Sequence, residues 1–156
     1  MIHVRPIEIK DISEQSERFK ELLLMCSLHN FPHSDYMNEY IISTFERLVQ
    51  YHADGTAILF GAFEETTLAG FLWAYERMVL GEIRVHLREL VVDSAYRRNG
   101  IGKQLIEILI AAAKNRGIAS IELLTSHSNS GAVSFYENLG FECERVQMVK
   151  KLGGSA

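Results

Sequence analysis

The chain predicts a single mixed α/β domain, with antiparallel strands first and a parallel pair after them. Strand-forming runs at Thr56–Phe63 and Leu68–Met78 are separated only by the polar Glu64-Glu65-Thr66-Thr67, which is hairpin spacing. A helical pattern over 100–116 joins strand-like Glu82–Val92 to Ala119–Thr125, and such a crossover is right-handed and parallel. The 156 residues fit one domain with a sizeable core, and 47% hydrophobic with 23% charged residues is the composition of an ordinary globular protein.

Taken in order, Ile2, Val4, Ile7 and Ile9 give a first strand over 2–9 whose alternation breaks at Pro6, because proline cannot donate to a ladder. Asp11 or Ser13 then caps a helix in which Phe19, Leu22, Leu23 and Cys26 recur at helical spacing to about Leu28. His29 to Tyr36 contains Pro32 and several polar side chains and predicts a loop. A second helix follows, capped by Ser34 or Asp35, burying Tyr40, Ile41, Phe45, Leu48 and Val49 and stopped by Gly55. Beyond the hairpin and the crossover, Ser128–Ser130 caps a last helix that Gly140 ends. Phe141–Leu152 supplies one or two final strands, for six to seven strands and about four helices over residues 1–152, and 153–156 form a loose tail. No repeat, low-complexity tract or linker points to a second domain.

Strand 82–92 carries a slip in its pattern. Glu82, Arg84, His86 and Arg88 are polar against apolar Ile83, Val85 and Leu87, and then Glu89 falls on the apolar parity and Leu90 on the polar one. One extra residue in a β-bulge rotates every later side chain to the other face, so a bulge is expected here. The strand runs on into Arg97-Arg98-Asn99-Gly100-Ile101-Gly102-Lys103, directly before a helical pattern. That order describes an anion cradle: glycines let main-chain N–H groups close on a phosphate, and the helix aims its unpaired donors and positive dipole end at the same spot.

Composition narrows the alternatives. A net charge of −4 argues against a general nucleic-acid binder, although the 97–103 loop is basic. Cys26 and Cys143 lie far apart with no CxxC pattern and read as reduced, idle thiols, while His29, His33, His52 and His86 lack metal-ligand spacing, so no metal is expected. There is no Gx₄GK[ST] motif, and Leu105 stands where a dinucleotide fingerprint needs its third glycine. The opening MIHVRPIEIK alternates like a strand without a signal peptide's apolar run, and no stretch is long enough to span a bilayer, so a cytoplasmic location without membrane partners is expected.

Arg97-x-x-Gly100-x-Gly102 after a hydrophobic strand resembles the pyrophosphate loop of the GNAT superfamily of acetyl-CoA-dependent N-acetyltransferases. Asn129-x-x-Ala132-x-x-Phe135-Tyr136-x-x-x-Gly140-Phe141 is similar to a second hallmark of that family, and the specific resemblance covers roughly 82–152. Two departures stand out: Ser94 replaces a frequent proline, and Arg98-Asn99 replaces the frequent Arg-Gly. Neither removes the glycines.

The resemblance implies a GNAT-like fold binding acetyl-CoA between two splayed parallel strands, with direct transfer to a primary amine of a small molecule or peptide. It implies cofactor contacts from Leu90, Val91 and Val92, with a Leu90 or Val91 N–H near the thioester carbonyl, from Arg97, Arg98, Asn99, Gly100, Ile101, Gly102 and Lys103, and from Asn129 and Phe135. Asn129 can equally cap the helix, and Phe135 can equally pack in the core. Glu89 is the candidate base for the acceptor ammonium, with a structural pair to Arg88 or Arg84 as the alternative, and Tyr136 is the candidate acid for the departing thiolate. Phe31, Tyr36, Tyr40, Trp73 and Tyr75 are candidate walls of the acceptor site. The resemblance leaves a homodimer through the sheet edge open. Two competing readings share the loop: a non-catalytic acyl-CoA sensor or scaffold, and a nucleotide-phosphate enzyme using Asp93 as a metal carboxylate.

Overall fold

A computed structural model describes residues 1–154. The described residues form β1 (Ile2–Pro6), α1 (Ile9–Glu14), α2 (Ser16–Asn30), α3 (Met37–Ala53), β2 (Ile58–Glu64), β3 (Thr67–Val79), β4 (Glu82–Val92), a 3₁₀ turn (Ser94–Tyr96), α4 (Ile101–Asn115), β5 (Ile121–Leu123) and α5 (Ser130–Asn138). The sheet runs β1-β2-β3-β4-β5, antiparallel except for the parallel β4/β5 pair. The predicted mixed α/β class and element order are found, with five strands rather than six or seven and five α-helices rather than four.

The extra helix arises because the first predicted helix is two. Asp11 and Glu8 form a capping box at the start of α1, and the Arg5 guanidinium grips Asp11 at 2.7 and 2.8 Å, holding that carboxyl below its usual range. Gln15 then leaves the helical conformation, and its side-chain oxygen accepts the Leu68 N–H at 3.0 Å, tying the break to the start of β3. Tyr36, rather than Ser34 or Asp35, occupies the N-cap of α3, without a side-chain cap.

Alternation along β3 sends Phe71 and Trp73 to one face and Leu72 and Ala74 to the other, so the sheet carries two cores. α1–α3 cover the first, where Phe19 packs against Phe71 with ring centroids 5.1 Å apart and both are fully buried. α4 covers the second with Leu105, Ile106 and Leu109. Each such side chain removed from water contributes about 1.5–3 kcal/mol, and this burial is what clamps β4 between the helical layers.

The predicted bulge is present. Trp73 pairs with Glu89 but Ala74 pairs with Leu87, which leaves Arg88 as the extra residue. Val85 and Leu87 therefore face the second core, whereas beyond the bulge Val91 faces the first. β5 is shorter than predicted and pairs with β4 only from Val85 to Leu87.

The strands expected over 141–152 are not formed. Residues 142–154 make no main-chain hydrogen bond to the other described residues, and Val146, Met148, Val149 and Leu152 stand exposed. Extended chain becomes a strand only when its N–H and C=O groups find a partner, and here this chain supplies none. Of the predicted tail, Gly153 and Gly154 are irregular, while residues 155 and 156 lie outside the described residues.

Candidate active site

Beyond Leu87 and Leu123 the parallel strands separate, and a cleft of about 770 Å³ opens between them. The second half of β4, the end of β5, the loop before α4 and the first turns of α4 and α5 line it. Of the fourteen sequence-predicted site residues, thirteen line this cleft. The exception is Asn99, an exposed loop residue outside the lining, because Arg98 and Gly100 on either side of it carry the left-handed turn.

Main-chain parity decides what β4 offers to the cleft. The Asp93 N–H donates to Ala69 O at 2.9 Å, so odd-numbered residues here turn their polar groups toward β3. Leu90 O instead lies 3.8 Å from Cys26 Sγ, and Val92 O accepts Arg97 Nε at 3.1 Å, which places the groups of Leu90 and Val92 on the open side. Between the two thioester donors suggested by resemblance, this alternation leaves Leu90; the Val91 N–H faces β3, and its side chain is buried in the first core.

The loop is open at its amides. Gly100 caps α4 in the left-handed region at φ 73°, a conformation that a side chain would strain. The first intrahelical donor is the Gln104 N–H, to Gly100 O at 3.0 Å, so the N–H groups of Ile101, Gly102 and Lys103 have no protein partner among the described residues. A Cβ on Gly102 would sit 3.3 Å from Phe135, so this glycine permits the close approach of α5 to α4. Lys103 and Arg98 are exposed at the rim, whereas Arg97 folds back on Val92 O and lies 3.4 Å from His29 Nε2. Free helix-start amides with cationic side chains nearby form an anion site.

At the inner end, Glu89 is 6% exposed and its carboxylate accepts from Arg88 Nη1 at 3.2 Å. Burial pushes its pKa upward, opposed by the Arg88 charge and by a Cys26 hydrogen bond. The pairing with Arg88 and the cleft position thus coexist. Burial likewise raises the Tyr136 pKa, helped by Cys26 and Glu89, so its hydroxyl stays protonated. Tyr136 packs edge-on against Phe135 at 5.1 Å and Phe141 at 5.5 Å, and its hydroxyl has no protein hydrogen-bond partner among the described residues.

Asn129 caps α5, its side-chain oxygen accepting the Ala132 N–H at 3.3 Å. Asn30, which the sequence reading did not single out, gathers this corner. Its side-chain oxygen accepts from Thr125 Oγ1, the Ser126 N–H and Asn129 Nδ2 at 3.3, 3.1 and 3.4 Å, latching the end of α2 to the β5–α5 loop. Cys26, expected to be idle, lines the cleft, and burial followed by the Glu89 charge raises its pKa. Neither residue had a sequence signal, since each contact spans more than sixty residues.

Two other expectations need correction. Trp73 is 0% exposed and belongs to the first core rather than to an acceptor wall. Asp93 caps the 3₁₀ turn through the Ala95 N–H at 2.9 Å and pairs with Arg18, so its carboxylate is already engaged.

Fold and geometry together give an elongated cleft between splayed parallel strands, with free helix-start amides at one end. Residues 18–141 match the acetyltransferase (GNAT) family, and the chain belongs to it. An uncharacterized N-acetyltransferase, MJ1207, of Methanocaldococcus jannaschii is 41% identical over 71 residues, 42% of this chain and 31% of that protein. The ribosomal protein bS18-alanine N-acetyltransferase of Escherichia coli K12 is 39% identical over 69 residues, 44% of this chain and 45% of that protein. The matches thus span less than half the length of these curated relatives. The PaiA N-acetyltransferase of Thermoplasma acidophilum, solved in complex with coenzyme A, shares the fold at a TM-score of 0.78 and 24% identity, over 94% of this chain and 93% of that one.

Proposed function

We propose that the chain transfers the acetyl group of acetyl-CoA directly to a primary amine, with both substrates bound together. The observation that carries this reading is a single cleft whose outer end holds the free amides of Ile101–Lys103 and whose inner end holds Glu89 and Tyr136. Bound acetyl-CoA supplies an activated thioester. The α4 amides and the Arg98 and Lys103 side chains hold its diphosphate, and the main-chain groups of Leu90 extend β4 toward the pantetheine arm. The Leu90 N–H faces the carbonyl oxygen on which negative charge develops.

Glu89, buried and with a raised pKa, takes the proton of the acceptor ammonium directly or through water. The amine nitrogen forms its bond to the acetyl carbon as the carbon–sulfur bond breaks. Tyr136 gives its hydroxyl proton to the departing thiolate and regains one from solvent, as the new amide nitrogen releases its second proton to solvent. The chain needs no nucleophile of its own, because a positioned neutral amine is already competent. For the acceptor, the name of the E. coli relative supports the α-amine of a peptide, and the exposed aromatics Phe31 and Tyr36 beside Tyr40 offer it a wall.

Thiol release from acetyl-CoA, followed over a panel of small amines and of peptides with free N-termini, tests the reading. Release that depends on an amine, with intersecting initial-rate lines, is expected. Parallel lines would replace direct transfer by an acyl-enzyme route, and CoA binding without release under any amine would identify a non-catalytic acyl-CoA module.

A further inference from the structure

Arg88 is the residue of β4 that the bulge leaves without a cross-strand partner, and its side chain lines the cleft while only 23% of it stays exposed. The guanidinium lies 6.0 Å from the centre of the Tyr40 ring and 5.9 Å from that of Trp73. Its Nη2 donates to the Tyr40 hydroxyl at 3.2 Å and its Nη1 to Glu89 at 3.2 Å. Arg88 therefore stands between the base and the aromatic wall of Phe31, Tyr36 and Tyr40, and an acceptor that reaches Glu89 along that wall passes it.

This cation has donors to spare. A guanidinium carries five N–H groups; two are engaged as above, and Nε and one hydrogen on each Nη have no protein partner among the described residues. An arginine fork drawn part-way out of water, with donors left over, is suited to a carboxylate.

The sheet face beyond it is basic as well. Burial raises the Tyr75 pKa, while the charges of Arg88, Arg77 and Arg47 all pull it down, so three guanidiniums act on one hydroxyl. Against them stand Glu89, paired with Arg88, and Glu122, paired with Arg77. His86 packs against Tyr75 at 5.3 Å, and burial followed by the Arg77 charge lowers its pKa, so it is neutral at pH 7. When Glu89 takes the proton of the acceptor, Arg88 loses the counter-charge nearest to it, in a place where little water can replace it. An acceptor that brings its own carboxylate restores the balance.

We infer that Arg88 selects acceptors with a carboxylate on the amine-bearing carbon or the carbon next to it: a free amino acid, or a peptide that opens with an acidic residue. The carboxylate meets the spare N–H groups of Arg88 while the ammonium meets Glu89. This rests on the acetyl-transfer reading and narrows its acceptor.

Two matched pairs of acceptors test it by kcat/KM: a peptide opening with Asp against the same peptide opening with Asn, and free alanine against alaninamide. Within the pair that fits the site, Arg88→Gln should lower the ratio of carboxylate to neutral acceptor about ten- to a hundredfold. Any effect of the substitution on Glu89, and any difference in amine basicity within a pair, cancels in that comparison. Arg88→Lys keeps the charge but loses the fork and should lower the ratio by only about threefold; CoA binding checks that each variant has folded. The pair that responds tells a free amino acid from a peptide. A ratio that neither substitution moves, in either pair, overturns the proposal while leaving acetyl transfer intact. Absence of thiol release by the wild type with all four acceptors and every other amine overturns the transfer reading, and this proposal with it.

Discussion

The two faces of the sheet are finished to different degrees. Under α1–α3, Phe19, Leu22, Leu23, Phe71 and Trp73 are wholly buried, and the layer is closed by its own side chains. On the other face α4 is equally well seated, yet α5 buries no residue completely, β5 is half-buried throughout, and the arm beyond is exposed. The closed face holds β4 rigidly, and the open one leaves room for what must enter. A ligand cleft and a free sheet edge both require groups that the chain itself leaves unsatisfied.

Substitutions can break this contrast. The largest effect is expected where the closed face delivers a group into the cleft: Glu89→Gln should lower kcat by about 10²–10⁴-fold and remove the limb of the pH–rate profile that rises as Glu89 ionises. An unchanged profile would remove Glu89 from the mechanism. Next, Phe19→Ala should destabilise the fold by about 3–5 kcal/mol whether or not CoA is present, because it empties a sealed core. Phe135→Ala, on the open face, should cost much less stability and instead weaken CoA binding. Denaturant titrations with and without CoA separate the two, and equal losses would erase the distinction.

Asn30→Ala sharpens the comparison at the latch between the halves. It strips three donors of their shared acceptor and should cost about 1–3 kcal/mol, with faster amide exchange over 125–132 than over α2. Gly100→Ala should cost about 1–2 kcal/mol through its left-handed backbone alone, since no neighbour obstructs a Cβ there. The smallest effect is a pH dependence. Glu89 binds its proton more tightly folded than unfolded, so its contribution to stability is full below the unfolded carboxyl pKa and is lost as pH rises through the higher folded value. Thermal melts of Glu89→Gln across that range should lack this decline.

Much of the cleft was legible because its signals are local. Gly100 and Gly102 announce a turn and a close approach within a few residues, and the parity slip at Arg88-Glu89 announces the bulge, since side-chain direction along a strand follows from the backbone alone. Trp73 was misplaced because an aromatic on a strand looks the same whether its face meets a ligand or a helix. The final strands were expected from composition, but composition cannot supply a pairing partner.

The sequence by itself therefore determined the element order, the bulge and the glycine turn before α4, which depend on steric rules acting over a few residues. Only the tertiary structure decided that the main-chain groups of Leu90 rather than those of Val91 point into the cleft, that Asn30 and Cys26 come to it from α2, and that the arm stands clear of the sheet. These depend on which distant groups satisfy one another's hydrogen bonds and apolar surface, and chain order does not encode that spacing directly.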